Sequence, residues 1–430
     1  MKKKKIIILG GNPETGVLVE FANNMGLHTI VIDPNPDAPA KKFADETYDI
    51  DGFDIDGIVN VAKERHVDAV LVGVADILVK PYKEICERLG LPCYATDGTI
   101  EAFCSKDGYK RYCEEFDVQD IPGIYLKKDE PIRKPKNVDL PLMVKPVDSG
   151  GGVGMKICRD EEDYNQTVQN VLKFSKKGIV LVEKYMDASC HDMAAYYTFK
   201  DGIPYLSAVY DRTLTRIQGN SSPIGLATLY PSKYTSRFVK SVHPKLCELF
   251  KATGVKNGVL NVQFFVKDGE FYSYDPGFRL QGEAPHIPLA HINGFDHRKM
   301  LINFALTGKF GDDNFSEQND YMLRGKKACS IWVLLKAGKI ASIEGLEKIK
   351  NHKNVIFVVE RFKEGDEVAP AMVGTERQVL YRIYTVTDSV ADTNQTILDI
   401  QNILNVRDEN GNDMVLEWTK LWNTDDYSHH

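Results

Sequence analysis

No apolar run in the 430 residues is long enough to cross a bilayer, which excludes a membrane-spanning helix. The eight cysteines are scattered, with no Cys-x-x-Cys pair and no His/Cys cluster at zinc spacing. This excludes a disulfide scaffold or a structural zinc module and reads as the reduced thiols of a cytoplasmic protein. Positive charge is not in excess: 54 Lys and Arg face 61 Asp and Glu, a net charge of −7. A broad nucleic-acid surface is therefore not expected, although a local basic pocket is compatible with it. No internal repeat and no low-complexity tract interrupts the chain. The opening "MKKKKIIILGG" starts like a secretory signal, but its apolar run is too short for one. The closing "SHH" resembles the end of a purification tag, so His429 and His430 carry no argument.

What is present is ordinary soluble composition, 43% hydrophobic and 27% charged, in a chain long enough for two or three domains. The first 98 residues alternate strand and helix patterns. "KIIILGG", "LHTIVID", "VDAVLVGV" and "LPCYA" read as strands, with helices at "PETGVLVEFANNMG", "DIDGIVNVAKERH" and "YKEICERLG". Such alternation predicts a doubly wound parallel sheet. Its "GGNPETG" turn can hold a phosphate, with Asp33 on a ribose hydroxyl, or can simply make a tight turn. The misplaced third glycine favours the turn.

A helix capped at Thr99 follows, then a Pro- and Lys-rich connection over 121–141. The strand "LMVKP" leads into "VDSGGGVG". The glycines let backbone N–H groups approach a ligand closely, and phosphate is the ligand that rewards this. A Walker loop is excluded, because Met155 and Lys156 follow the last glycine where Lys-Ser/Thr is required. Taken alone, the run reads equally as a phosphate loop or a surface turn. An amphipathic helix at "DEEDYNQTVQNVLKFSK", the strand "GIVLVEKYM", a strand-rich middle and a helix near 236–253 come next.

The hairpin "GVLNVQFFVKDGEFYSYDPGFR" is the most informative segment. A three-residue loop, Lys267-Asp268-Gly269, sets Val266 opposite Glu270. Asn261, Gln263, Ser273 and Asp275 then share one face, and Val262, Phe264, Val266, Tyr272 and Tyr274 the other. A two-residue turn would part Gln263 from Asp275. Oxygen donors beside phosphate suit Mg²⁺.

Lys106 near a helix cap, Lys145 ending a strand, the glycine loop, "VEKYM", and the hairpin with Arg279 beyond it occur in that order. The order resembles the ATP-grasp superfamily of carboxylate–amine and carboxylate–thiol ligases, and the resemblance covers nearly the whole chain. It implies an α/β and α+β protein. A doubly wound, Rossmann-like domain occupies 1–98. An ATP-grasp domain occupies 99–324, with a small lid subdomain at about 124–185. A C-terminal α+β domain at 325–428 closes the substrate pocket or forms a homodimer contact.

Carried over by position, the resemblance assigns Lys106 and Lys145 to the phosphates of ATP. Ser149, Gly150, Gly151 and Gly152 belong to the loop that folds over them. Glu183, Lys184 and Met186 fall on the adenine-binding strand, with backbone of Lys184 and Met186 reading the ring. His191 takes the ribose contact, Gln263 and Asp275 the Mg²⁺ (or Mn²⁺), and Arg279 the acyl phosphate or its transition state. Three departures stand out. Gln263 replaces the usual Glu, as in carbamoyl-phosphate synthetase. Asp275 replaces Glu, and Gly277 replaces the usual Asn. A weakened metal site, or one completed by Asn261 or water, is the expectation.

The implied activity is ADP-forming ligation of a carboxylate, in the most similar sub-family an amino acid, to an amine. Both substrates are small molecules. Ligation of an amino acid or amine to a sugar acid is the alternative suggested by the Gly-x-Arg-x-x-Gly run at 277–282. A nucleotide-binding protein with a decayed metal site is the alternative of another class. Glu283 is a candidate to help deprotonate the amine. His286 and His291 line the pocket or cap and pack a helix, and Arg212 binds an anionic group or makes a strand-end ion pair. Cys190 and His191 are strand neighbours facing opposite ways, which argues against a nucleophilic dyad. Tyr196 and Tyr197 are read as core.

Overall fold

The computed structural model describes residues 3–148, 154–187, 189–215 and 224–427. Strands β1 (Lys5–Leu9), β2 (His28–Ile32), β3 (Glu46–Tyr48) and β4 (Ala69–Val72) form a parallel sheet in the order β3-β2-β1-β4. The central runs Ile6–Ile8 and Ile30–Ile32 are buried, as strands covered on both faces must be. Helices α1 (Pro13–Asn24), α2 (Ile55–Arg65) and α3 (Val79–Leu89) make the connections. The strand order reverses between β1 and β4, so the loops after these two strands border a crevice. The expected strand at "LPCYA" does not form. Pro92 offers no N–H to a ladder, Tyr94 and Ala95 pack into the core, and the sheet ends at β4 on that side, while β3 forms the opposite edge beside β2.

Two short helices replace the single one expected next. α4 (Asp97–Phe103) is capped by Thr96, with Thr99 returning the bond to the Thr96 backbone. The cap is thus one turn earlier than Thr99, which serves as the reciprocal partner. α5 (Lys106–Glu115) starts afresh from Ser105, whose hydroxyl accepts the Gly108 N–H. This second cap fixes Lys106 as the first residue of its helix.

Strands β5 (Gly123–Lys127), β6 (Leu142–Pro146), β7 (Lys156–Cys158) and β8 (Ile179–Lys184) form a separate antiparallel sheet, ordered β5-β8-β6-β7. Helix α6 (Tyr164–Leu172) covers it, and Val144, Val168, Val171, Val180 and Val182 fill a small core of their own.

The largest sheet has eight strands. In chain order these are β9 (His191–Lys200), β10 (Ile203–Thr215), β11 (Ile224–Tyr230), β12 (Gly258–Lys267), β13 (Glu270–Gly277) and β14 (Lys327–Leu334). Strand β15 (Gly338–Glu344) leaves for a three-stranded sheet, β16 (Val355–Glu360) returns, β17 (Glu367–Val368) leaves, β18 (Val379–Thr387) returns and β19 (Asn405–Asp408) leaves. The order is β13-β12-β9-β10-β11-β14-β18-β16, so strands after residue 325 extend the sheet built by the middle of the chain. The helix expected near 236–253 is two, Thr235–Ser241 and His243–Ala252, parted at Val242. Pro244 at the start of the second withholds the N–H that would continue the first. Tyr196 and Tyr197 are fully buried in the core. Among the described residues no helix is long and apolar enough to cross a membrane.

Candidate active site

The hairpin reaches its expected pairing by an unexpected route. Asp268 and Gly269 both have positive φ, 51° and 81°, and form a two-residue turn with Lys267 opposite Glu270. The expected three-residue loop is absent. Such a turn should part Gln263 from Asp275, but the register shifts between Gln263 and Phe264, where Tyr274 is the extra residue. That bulge restores Gln263 opposite Asp275. The two-residue turn moves three residues, Tyr272, Ser273 and Tyr274, from their expected faces, and Tyr272 now pairs with Phe265. Ser273 pairs with Phe264 and meets the buried Tyr109 hydroxyl. Tyr274 stacks on Phe265 at 4.4 Å and donates to Asp192 Oδ2 at 3.0 Å.

Beside this hairpin lies a cleft lined in part by Lys106, Lys110, Asp120, Lys145, Glu183 and Tyr274. It draws from α5 and β13, which share the main core, and from β6 and β8 of the separate small sheet. Lys145 Nζ stands 2.5 Å from Glu183 Oε1, and Lys110 Nζ 3.9 Å from Glu183 Oε2. Lys110 also donates to Asp120 and, at 2.6 Å, to the Ile121 carbonyl. Burial lowers the Lys106 pKa, and the nearby charge of Lys145 adds to this against Asp275 and Glu183. Asp275 shifts upward: desolvation and the charge of Asp76 outweigh Lys106, Lys145 and Arg279, although the residue keeps exposed surface. The three lysines of the cleft, Lys110 and Lys145 paired meanwhile with Asp120 and Glu183, supply donors that a polyanion can take over. The side chain of Glu183 balances lysines, and the Lys184 N–H is donated to the Pro122 carbonyl at 2.9 Å. Met186 is buried just past β8.

Arg279 follows the hairpin and is 8% exposed. It donates to Asp76, to Gln281 and, at 3.2 Å, to the Leu280 carbonyl. Burial opposes its charge, but Asp76 and Asp275 outweigh this and its pKa is raised. Asp76 comes from the loop after β4, at the border of the N-terminal crevice. A Cβ at Gly277 would sit 3.0 Å from Asp76 Oδ1 and 3.2 Å from Arg279 Nη1. The room for a side chain at 277 is thus taken by the Asp76–Arg279 pair.

Behind the hairpin face, Arg212 is held by Asp192 at 2.6 Å and by Glu283 at 2.7 Å, and Tyr274 lies 3.0 Å from it. Glu283 also accepts the Tyr210 hydroxyl at 2.9 Å. Of the two readings of Arg212, the ion pair is the one formed. Both oxygens of Glu283 are engaged, which leaves it poorly placed to accept a proton. His286 is buried and desolvation holds its pKa well below the ordinary value, whereas His291 is exposed. Cys190 is a free thiol.

The N-terminal glycine turn is packed shut. A Cβ at Gly11 would lie 2.3 Å from Ala38 Cβ and 2.8 Å from the Asp33 carboxyl. Glu14 brings its own carboxylate to the positive end of α1, where it meets Arg361 and, at 3.1 Å, Arg382. The tight-turn reading therefore fits, since a carboxylate already serves the helix end.

The structure thus gathers Lys106, Lys145, Glu183, Gln263, Asp275 and Arg279 around one region. His191 heads β9 in a second cluster, with Nε2 2.8 Å from Asp211 Oδ1. Ser149, Gly150, Gly151 and Gly152 lie outside the described residues. Among the described residues no group of three or more His, Cys, Asp or Glu forms a metal cluster. Lys110, Asp120 and Asp76 were not singled out from the sequence. Lys110 was findable, because i,i+4 spacing from Lys106 puts both on one helix face.

Residues 106–193 match the family model described as carbamoyl-phosphate synthase L chain, ATP binding domain. The carbamoyl phosphate synthase large chain of Clostridium botulinum (strain Loch Maree / Type A3) is 24% identical over 305 residues, which are 66% of this chain and 28% of that one. The chain thus spans under a third of that relative. The solved L-amino acid ligase from Bacillus licheniformis superposes with a TM-score of 0.77 at 17% identity, covering 95% of this chain and 100% of that one. The biotin carboxylase domain dimer of Hydrogenobacter thermophilus 2-oxoglutarate carboxylase, solved with MgADP, ADP and bicarbonate, gives 0.74 at 17% identity, covering 97% and 92%.

Proposed function

We propose that this chain, which has the ATP-grasp fold, is an ATP-dependent, ADP-forming ligase that joins a carboxylate, in the first instance an amino acid's, to an amine. The observation that carries the reading is a cleft holding Lys106 and Lys145, with Asp275, the partner of Gln263 across the adjoining hairpin, and a buried arginine within electrostatic reach of it. A carboxylate is a poor electrophile, because it is charged and lacks a leaving group. The reaction transfers the γ-phosphoryl group of ATP to a carboxylate oxygen and releases ADP. The amine nitrogen then attacks the acyl carbon, loses a proton and expels inorganic phosphate.

Lys106 and Lys145 offset phosphate charge, and Glu183 holds Lys145 in place until nucleotide arrives. Arg279 holds the substrate carboxylate and then the phosphorylated oxygen, a forked task for which guanidinium is built. Asp76 is its partner while no substrate is bound. His191 contacts the ribose, and backbone beside Lys184 and Met186 reads adenine. Ser149 to Gly152 cover the phosphates and exclude water.

One carboxylate and one amide facing each other fit a cation held chiefly by nucleotide phosphates, and Mg²⁺ or Mn²⁺ is such a cation. When bound, it neutralises charge on the phosphates. The MgADP complex of the Hydrogenobacter protein supports this, and its dimeric form supports a homodimer here. The same reading divides the chain near residues 98 and 324.

ADP and phosphate release from ATP and Mg²⁺, measured across pools of carboxylates and amines, tests the proposal. Release that requires one carboxylate plus one amine is expected. Nucleotide binding without release in any pool would overturn it.

A further inference from the structure

The far end of the chain reaches His191 through one carboxylate, that of Asp211. Its Nε2 lies 2.8 Å from Asp211 Oδ1, off the line of the N–H bond, and its ring packs edge-on against Tyr234 at 5.0 Å. Asp211 is fully buried. Its carboxylate accepts the Ser232 hydroxyl, the Lys233 backbone N–H at 3.1 Å and the Tyr427 hydroxyl at 2.6 Å. Burial would raise the Asp211 pKa, but His191, Ser232 and Tyr427 outweigh it, so the group stays ionised.

Tyr427 is itself buried and tied down. Asp426 pairs with Lys233 at 2.8 Å, and Trp422 exchanges two bonds with Asn394, at 2.8 and 2.9 Å. A contact 216 residues apart in sequence therefore ends on one carboxylate, and that carboxylate ends on His191. An apolar contact would anchor the C-terminal segment without burying a charge.

We propose that Asp211 and Tyr427 are positioning residues of the nucleotide site: through Asp211, the C-terminal segment sets the ring of His191 with its proton on Nε2 and leaves Nδ1 as the acceptor for a ribose hydroxyl. The inference rests on the reading of His191 as the ribose contact. Tyr427 supplies one of the donors that hold Asp211 charged and in place. Any ligand or partner that lifts the C-terminal segment would loosen the ribose contact without touching the phosphate cleft.

The test is calorimetric titration of the full chain with ATP, 2′-deoxy-ATP and 3′-deoxy-ATP, alongside thermal melting. The wild type should prefer ATP over one of the deoxy nucleotides, and H191A should abolish that preference. D211N and Y427F should lower it by up to about fivefold, the worth of one hydrogen bond. Y427F removes only a hydroxyl and keeps the proposal testable if D211N does not fold. A purely structural role would lower the melting temperature and leave the ratio of affinities unchanged. A wild-type ratio in both variants, with the preference lost in H191A, would overturn the proposal while sparing the ribose assignment. A wild-type ratio in H191A as well would overturn both.

Discussion

Arg212 and Arg279 are both arginines paired with carboxylates, and they differ in what each has left over. Arg212 has its nitrogens taken by Asp192, Glu283 and Tyr274, and the two carboxylates are 4% exposed. Arg279 is as deeply placed, but its carboxylate partner Asp76 has a side chain 51% exposed and its Nε has no hydrogen-bond partner. A charge saturated by buried partners has no capacity for a ligand. A charge whose partner can swing into water is available to an incoming anion. The comparison separates an arginine with no spare capacity from one with room for an anion, where residue type alone does not.

Breaking the first region should cost most. Arg212→Met leaves Asp192 and Glu283 buried without their partner, and should destabilise the fold by about 3–5 kcal/mol in urea unfolding. A loss below about 1 kcal/mol would place the network outside the structural class. Arg279→Ala should do the reverse. Turnover should fall by about 10²–10³-fold, the effect of removing one preorganised charge-stabilising donor, while the unfolding midpoint stays near wild type.

The pair that seals the N-terminal turn supplies an acid-sensitive comparison. Burial raises the Glu14 pKa, but Arg382 and Arg361 outweigh it and bring it from 4.5 to about 2. The folded chain therefore takes up this proton less readily than the unfolded one. The stability it contributes is complete above about pH 4.5 and is lost as pH falls from there toward 2, at most about 3 kcal/mol. Arg361, lowered by burial and by Arg382, reduces the net gain. Glu14→Gln should flatten that acid limb in pH-dependent unfolding; an unchanged limb would contradict the pairing.

The smallest effect is expected at Asp76. Asp76→Asn removes a half-exposed competitor for Arg279, and exposed pairs are worth about 0–1 kcal/mol. The KM for the carboxylate should fall by up to about fivefold with little change in melting temperature. A rise in KM would mean that Asp76 helps bind substrate.

Much of this site was legible because it follows local rules. Lys106 begins a capped helix, Lys145 and Glu183 lie on neighbouring strands, and Gln263 faces Asp275 across a hairpin. Even there the route differed, since periodicity does not reveal a bulge and the bulge is what returns Asp275 to Gln263. The rest was not legible for a common reason. Asp76 reaches Arg279 across 203 positions and Tyr427 reaches Asp211 across 216. Contacts at that separation leave no period in the sequence, whereas Lys110 is within reach of local rules, four residues after Lys106 on the same helix. Likewise, the "LPCYA" run has strand-like residues, but Tyr94 and Ala95 are taken up by core packing that the run itself does not encode.

The central claim is that a carboxylate is activated by phosphorylation. Hydroxylamine, a strong small amine nucleophile, tests it without knowledge of the natural amine. The protein, ATP and Mg²⁺ are incubated with pools of carboxylates and hydroxylamine, and hydroxamate and ADP are measured together. The account predicts equal amounts of both, dependent on one carboxylate class and lost in Arg279→Ala. Tight ATP binding with neither hydroxamate nor ADP from any carboxylate would contradict it.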